Sequence, residues 1–311
     1  MTTPAPTGPE LQRERTYLLG IAYRMLGSAS DAEDIVQEAL LRASHASDVR
    51  SMRAFLTTVV TRLCLDELGS ARRRRETYVG PFLPEPVLTD GLDAPSDTDP
   101  ERRENVSLAL LVVLDQLSPL ERAVFVLREV FDLEFAEIAE ALGRNEAACR
   151  KLLQRAREHV STAQPSAAAK VESQHAIGYA FFQALSTGDL RGLVELLAED
   201  ATLQTDHGGK ASAARKLVQG SEHVARFIHG LAQKGVRHPG DYAAIPALLN
   251  GAPALILKGA SGKVEATFTL RISVVDGQAK VAAISAMRNP DKLVAIDRAL
   301  ASGERLNVAP A

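Results

Sequence analysis

Apolar residues along the first half of the chain recur at intervals of three and four, the spacing that gathers them on one face of a helix. In "LLGIAYRMLGS" these positions are Leu18, Ile21, Ala22 and Met25, and Gly27 predicts the stop. "SDAEDIVQEALLRAS" offers Ser30 or Asp31 as N-cap with Glu33 or Asp34 three residues on, a capping-box pattern. Its stripe is Ile35, Val36, Ala39, Leu40 and Ala43, and the acids Asp31, Glu33, Asp34 and Glu38 take the remaining face. A third helix is expected over about residues 52–70, with Phe55, Val59, Leu63 and Cys64 facing inward. Helices resume near Asn105, and "SPLE" at 118–121 supplies an N-cap, a proline at the first helical position and a capping glutamate.

From residue 172 the period changes. Residues 172–200 read as two helices broken at "STGDL", and 221–234 as another. Three apolar or alternating runs then predict strands: "APALILKGA", "KVEATFTLRISVVDG" and "QAKVAAISAMRN". Asp276 and Gly277 mark a two-residue hairpin between the last two. Short helices ahead of an antiparallel sheet predict an α+β domain. No internal repeat is present.

The chain has 311 residues, room for two or three domains. Its first ten residues are polar without a basic start, so no secretory signal is expected, and the apolar run "LALLVVL" is too short to span a bilayer. Cys64 and Cys149 lie on helical stripes and read as reduced core residues. Together these predict a cytoplasmic chain without a membrane span. The net charge of −3 conceals an uneven distribution. Residues 50–75 carry seven Arg against Asp66 and Glu67, and 144–157 carry four Arg and one Lys against Glu146. Between them, 81–104 holds seven acids and two Arg. Two basic islands about an acidic connector suit two contacts on one polyanion, or two solvated helix faces.

Residues 134–160 decide between those readings. Ile138, Ala139 and Leu142 predict the buried side of a short helix, Gly143 a turn, and Asn145 the cap of a second helix with the stripe Cys149, Leu153, Ala156 and Val160. That is a helix-turn-helix pattern. Its outer face carries Glu146, Ala147, Arg150, Lys151 and Gln154, flanked by Arg155 and Arg157: donors for guanine edges and phosphates, with a small residue allowing close approach. A helical hairpin with a charged solvent face is the plainer alternative.

The two helical stretches, "DAEDIVQEALLRA" followed by "AFLTTVVTRLCLDELGSARRRR", resemble regions 2.2 to 2.4 of extracytoplasmic-function sigma factors. "LSPLERAVFVLREVFDLEFAEIAEALGRNEAACRKLLQRAR" resembles their region 4. The resemblance implies that Asp31, Asp34, Gln37 and Glu38 contact the β′ clamp helices of core RNA polymerase, with region 4 near the β flap. It places Phe55, Arg62 and Arg72, Arg73, Arg74 and Arg75 on the −10 element, with Phe55 standing where many members have Trp and Arg62 where many have Asn. Residues 145–157 would read the −35 duplex of promoter DNA.

The last segment is similar to SnoaL-like members of the NTF2-like superfamily, cone-shaped α+β domains with an internal pocket able to hold a small molecule. Asp206 and His207, with Lys210 and Arg288 nearby, read either as an acid–base pair or as turn residues before Gly208 and Gly209. The other histidines show no metal-ligand spacing, and no cofactor is expected. Sigma factors with a fused SnoaL-like domain carry three motifs: "FLPEP", usually with Trp first, at 82–86; "DHGGK", more often with Gly second, at 206–210; and "NPDKL" at 289–293. The expected contact therefore joins Phe82, Leu83, Pro84, Glu85 and Pro86 to Asp206, Gly208, Gly209, Lys210, Asn289, Pro290 and Asp291, with Lys210 paired to Glu85. Prolines leave "YVGPFLPEP" stiff, and its apolar side chains suit docking on a surface.

The expected architecture is region 2 at 10–75, a Pro-rich and acidic linker at 76–104, region 4 at 105–160, a linker at 161–171 and the α+β domain at 172–300, monomeric when free. Two other classes remain open: a helix-turn-helix regulator acting without polymerase, and a SnoaL-type cyclase or isomerase fused to a DNA-binding module.

Overall fold

The computed structural model describes residues 8–46, 49–75, 78–88, 107–163, 169–212, 214, 216–237 and 242–302. The acidic stretch of the connector, residues 89–106, and most of the second linker lie outside them. Two compact units result: one holds the described residues of 8–75 and 107–163, the other holds 78–88 together with everything from 169 onward.

The first unit is all α. Helix α1 (Gly8–Leu26) buries Leu18, Ile21, Ala22 and Met25, and ends at Gly27, whose φ of 69° is costly for any residue with a Cβ. That left-handed residue reverses the chain so that Ser28 is the first in cap geometry. Ser28 Oγ accepts from Asp31 N at 3.1 Å, so the cap of α2 (Ala29–Ser44) is Ser28 and not Ser30 or Asp31. Helix α3 runs Met52–Arg75 and buries Leu56, Val60, Cys64 and Leu68 at a strict spacing of four. Phe55, Val59 and Leu63, expected inward, are only half-buried, because the neighbours cover the adjoining row. Burial of each large side chain along this stripe contributes about 1.5–3 kcal/mol.

Helix α4 (Leu108–Leu114) starts at the cap of Ser107, and α5 (Pro119–Phe125) carries the expected Ser118–Glu121 capping box. Beyond α5 the chain widens into a π turn at Val126–Val130, followed by Asp132 at φ 53°. Then come α6 (Phe135–Leu142), Gly143 in the left-handed region, and α7 (Glu146–Ala163) capped by Asn145. Cys149, Leu153, Ala156 and Val160 are all buried. Burial pushes the Cys64 and Cys149 thiols above their ordinary range.

The second unit comprises α8 (Val171–Thr187), α9 (Leu190–Leu196), β1 (Leu197–Asp206), β2 (Val218–Gln219), α10 (Ser221–Arg237), β3 (Tyr242–Leu249), β4 (Ala252–Gly259), β5 (Val264–Val275), β6 (Gln278–Met287), a 3₁₀ turn at Pro290–Lys292 and α11 (Val294–Ala301). The six strands form one sheet in the order β2-β1-β6-β5-β4-β3. The Asp276–Gly277 hairpin forms as expected, pairing Val275 with Gln278. The sheet is mixed, however, because β1 lies parallel to β6, and three strands were not anticipated. The stretch 197–200 reads as helical locally, but its partner is a strand some eighty residues away, visible only once the chain is folded. Strand β3 contains Pro246, which an edge strand tolerates because no ladder donor is lost on its outer side. Helices α8 to α10 cover one face through Phe181, Leu193, Val224 and Ile228 against Leu203, Leu270, Ile272 and Ile284.

Candidate functional sites

Helix α2 presents the first candidate surface. Its buried stripe is Ala32, Val36, Ala39 and Ala43. Asp34, Gln37 and Glu38 are exposed and Asp31 half-buried on the other side. Glu38 pairs with Arg42 at 2.8 Å, and Leu41, 62 % exposed, shares the face with Asp34, Gln37 and Glu38. This is an acidic ridge with one apolar residue at its edge.

The helix-turn-helix is the second. Asn145, Ala147, Arg150, Lys151, Gln154, Arg155 and Arg157 are exposed along α7, and Glu146 is half-buried. Its arginines are held by carboxylates within the unit: Arg150 to Glu146 at 2.6 Å, Arg157 to Glu129 at 2.7 Å and Arg155 to Glu121 at 3.2 Å. The Arg150 guanidinium also lies 4.7 Å from the Phe135 ring centroid. The Arg150–Glu146 pair is exposed and contributes little to stability, whereas the Glu121 carboxylate that holds Arg155 is buried. Arg72, Arg73, Arg74 and Arg75 end α3, and their side chains are outside the described residues. Phe55 is half-buried, and Arg62 is turned toward α6, to which it donates twice.

The third candidate centres on Asp206, wholly buried at the end of β1. Its Oδ1 accepts from the Tyr78 hydroxyl, while its Oδ2 accepts from Leu83 N at 2.9 Å and from Lys292 Nζ at 2.8 Å. Lys292 Nζ also donates to Leu83 O at 2.7 Å, and lies 3.3 Å from the Phe82 ring centroid and 5.0 Å from that of Tyr78. The ammonium is therefore neutralised on one side by a carboxylate and held on the other by two aromatic rings, themselves packed edge-on. Asn289 Nδ2 donates to the Tyr78 hydroxyl at 2.9 Å. Burial, and then the Asp206 carboxylate, push the Tyr78 phenol above its usual range.

Farther along the segment, Val87 N donates to Asn250 Oδ1 at 3.1 Å and Val87 O accepts from Asn250 N at 2.9 Å. Leu88 then bridges antiparallel to Leu249 at the edge of β3. Leu83, Pro84, Glu85 and Pro86 are all buried.

Two glycines are required here. A Cβ on Gly208 (φ 54°) would lie 2.5 Å from Asn289 Nδ2, and one on Gly80 (φ 90°) 2.8 Å from His207 Nε2. The His207 ring thus packs where the linker backbone passes, and its Nδ1 accepts from Gly209 N at 3.0 Å. The expected Lys210–Glu85 pair is not formed. Lys210 pairs instead with Asp291 beside Pro290, the nearer carboxylate once β1 and the 3₁₀ turn are brought together. Both Asp206 carboxylate oxygens accept hydrogen bonds away from solvent, and Arg288 Nη1 donates to Ser212 O at 2.8 Å. Lys292 and Asn250 were not among the expected contacts. Lys292 lies inside the "NPDKL" motif, and Asn250 in an Asn-Gly turn that is itself a strong hairpin signal. Among the described residues no group of three or more His, Cys, Asp or Glu side chains could hold a metal ion, and no helix is long and apolar enough to cross a membrane.

An acidic ridge and a helix-turn-helix in one helical unit, joined to an α+β unit, define a class. Family models described as "Sigma-70 region 2" and "Sigma-70, region 4" match residues 11–74 and 107–160. The chain is 44% identical over 295 residues to the ECF RNA polymerase sigma factor SigJ of Mycobacterium tuberculosis, covering 91% of this chain and 92% of that one. Identity to SigG of the same species is 34% over 285 residues, covering 83% and 75%. The crystal structure of the Mycobacterium tuberculosis SigJ superposes with a TM-score of 0.70 at 38% identity, over 93% of this chain and 99% of that one. The chain belongs to the extracytoplasmic-function RNA polymerase sigma factors. It is an alternative sigma factor with a C-terminal α+β domain, and neither the polymerase-independent regulator nor the enzyme fusion is favoured.

Proposed function

We propose that this chain directs core RNA polymerase to promoters and that its α+β domain sets that activity in cis through the segment 78–88. In this reading Asp31, Asp34, Gln37 and Glu38 dock on the β′ clamp helices, carboxylates and an amide within two turns suiting an arginine-rich helical partner. Region 4 lies near the β flap. Helix α3, with Phe55, Arg62 and the arginines 72–75, takes the −10 element, and α7 takes the −35 duplex through Arg150, Lys151 and their neighbours. The chain works in the cytoplasm as a binding protein without turnover.

The observation that carries the cis-regulatory part is the convergence of Tyr78, Leu83 and Lys292 on the one buried carboxylate of Asp206. The segment between two promoter-reading modules is thereby tied to a third domain, so anything that disturbs the Asp206 cluster changes how freely the modules can be placed.

In vitro transcription with core enzyme tests both parts. Asp34→Lys is expected to weaken core binding at least tenfold and abolish transcription. Asp206→Asn is expected to change transcription while core affinity stays within about twofold. Unaltered core binding by Asp34→Lys removes the ridge from the account. Unaltered transcription by Asp206→Asn removes the cis regulation.

A further inference from the structure

Phe135 opens α6, the first helix of the helix-turn-helix, and is half-buried. The reciprocal cap in front of it fixes its place, with Glu134 N donating to Glu137 Oε2 at 2.9 Å. Two guanidinium groups lie over its ring. That of Arg128 is 5.4 Å from the centroid and is tied to the loop before α6 by donating to Leu133 O at 2.8 Å. That of Arg150, on α7, is 4.7 Å away, with its Nη2 on Glu146 at 2.6 Å. Arg150 is 56 % exposed, yet its far end is held twice: by a carboxylate one turn back on its own helix and by a ring on the other helix. Lys151, the next residue, is exposed and forms no ion pair among the described residues.

The difference matters for discrimination. A long cation that nothing holds can turn from a mismatched base to a phosphate, where the electrostatic gain is the same for every sequence. Bidentate contact with a guanine edge instead needs the guanidinium fork in one orientation. We propose that Phe135 is a specificity-determining positioning residue: it keeps the Arg150 fork aimed at a base edge of the −35 duplex and away from the phosphates, while Lys151 supplies a sequence-independent contact. The inference rests on the promoter reading above and deepens it. Phe135 acts through Arg150, so its effect falls on wrong sequences more than on the right one.

The test is binding of −35 duplexes by the full chain assembled with core polymerase, using a library with every base at every −35 position. The position that Arg150 reads is the one whose base preference disappears in Arg150→Ala. Phe135→Leu keeps an apolar side chain and every charge. It should bind duplexes mismatched at that position about threefold tighter than the parent chain does, with cognate binding within about twofold and the salt slope unchanged. Structural damage would weaken both duplexes, so tighter mismatch binding is a change that damage does not produce. Phe135→Tyr keeps a ring and should retain the parent preference. Mismatch binding that is unchanged or weaker in Phe135→Leu overturns the proposal, as does loss of preference in Phe135→Tyr. A second readout needs no DNA: the Arg150 Nε–H resonance of the free full-length chain should carry a ring-current shift that Phe135→Leu removes. No change in that resonance overturns the stack. If the ring-current shift is present but Arg150→Ala leaves every preference intact, it is the −35 reading of α7 that has failed, and the positioning role falls with it.

Discussion

Asp206 and Lys292 form a buried pair, and such pairs behave differently when one partner is lost than when both are. Removing one leaves an uncompensated charge away from water, costing about 3 kcal/mol or more, whereas replacing both is often close to neutral. Asp206→Asn or Lys292→Met alone should therefore raise hydrogen exchange at the Leu83 amide by about 100-fold, since that N–H is bonded to Asp206 Oδ2. The double variant should lose less than the sum of the two. Strict additivity would show that the pair does not anchor the linker. The motif letters D, H, G, G, K and N, P, D, K, L were readable one by one, yet their partners were not. Lys210 looked suited to Glu85 because both are long and oppositely charged. The fold instead sets Asp291 beside Lys210 and gives Lys292 to the linker.

Among the elements, the helices were legible because a helix makes its own hydrogen bonds. Ser118 and Glu121, or Gly143 and Asn145, act within a few residues of themselves. Strands β1 and β3 were not, because a strand is stabilised by a partner elsewhere in the chain, and β1 finds that partner in β6. The turn between β3 and β4 has a double duty that one comparison exposes. Asn250 sits at φ 52°, and its side chain accepts from Val87. Asn250→Gly keeps the left-handed turn and loses that acceptor, at about 1 kcal/mol. Asn250→Ala also strains the backbone, for a further ~1 kcal/mol. Thermal unfolding should rank parent, Gly and Ala variants in that order, and equal losses would mean the Val87 contact contributes nothing.

For the molecule as a whole, the division into units does not follow the order of the chain: residues 78–88 lie between two helical modules in sequence but belong with the α+β domain. A domain beginning at residue 165 should therefore be incomplete, with Asp206 and Lys292 retaining each other but losing Tyr78, Phe82 and Leu83. Adding a peptide of residues 78–91 in trans should raise its melting temperature by about 3 °C or more at saturating peptide. The same domain carrying Asp206→Asn should not respond. A response equal in both would mean the peptide binds elsewhere.

The identity of this protein as a sigma factor was carried by local patterns: an acidic amphipathic helix, a capped helix-turn-helix and three short motifs, each readable because the chemistry of helix faces and turns is set by residues close in sequence. Folding alone determined where the committed side chains point. It set Arg62, expected at the −10 element, against the carbonyls of α6, brought β1 alongside β6, and made Asp206 the meeting point of groups 86 to 128 residues away. Contacts of that range depend on which surfaces pack together, and no interval along the chain records that.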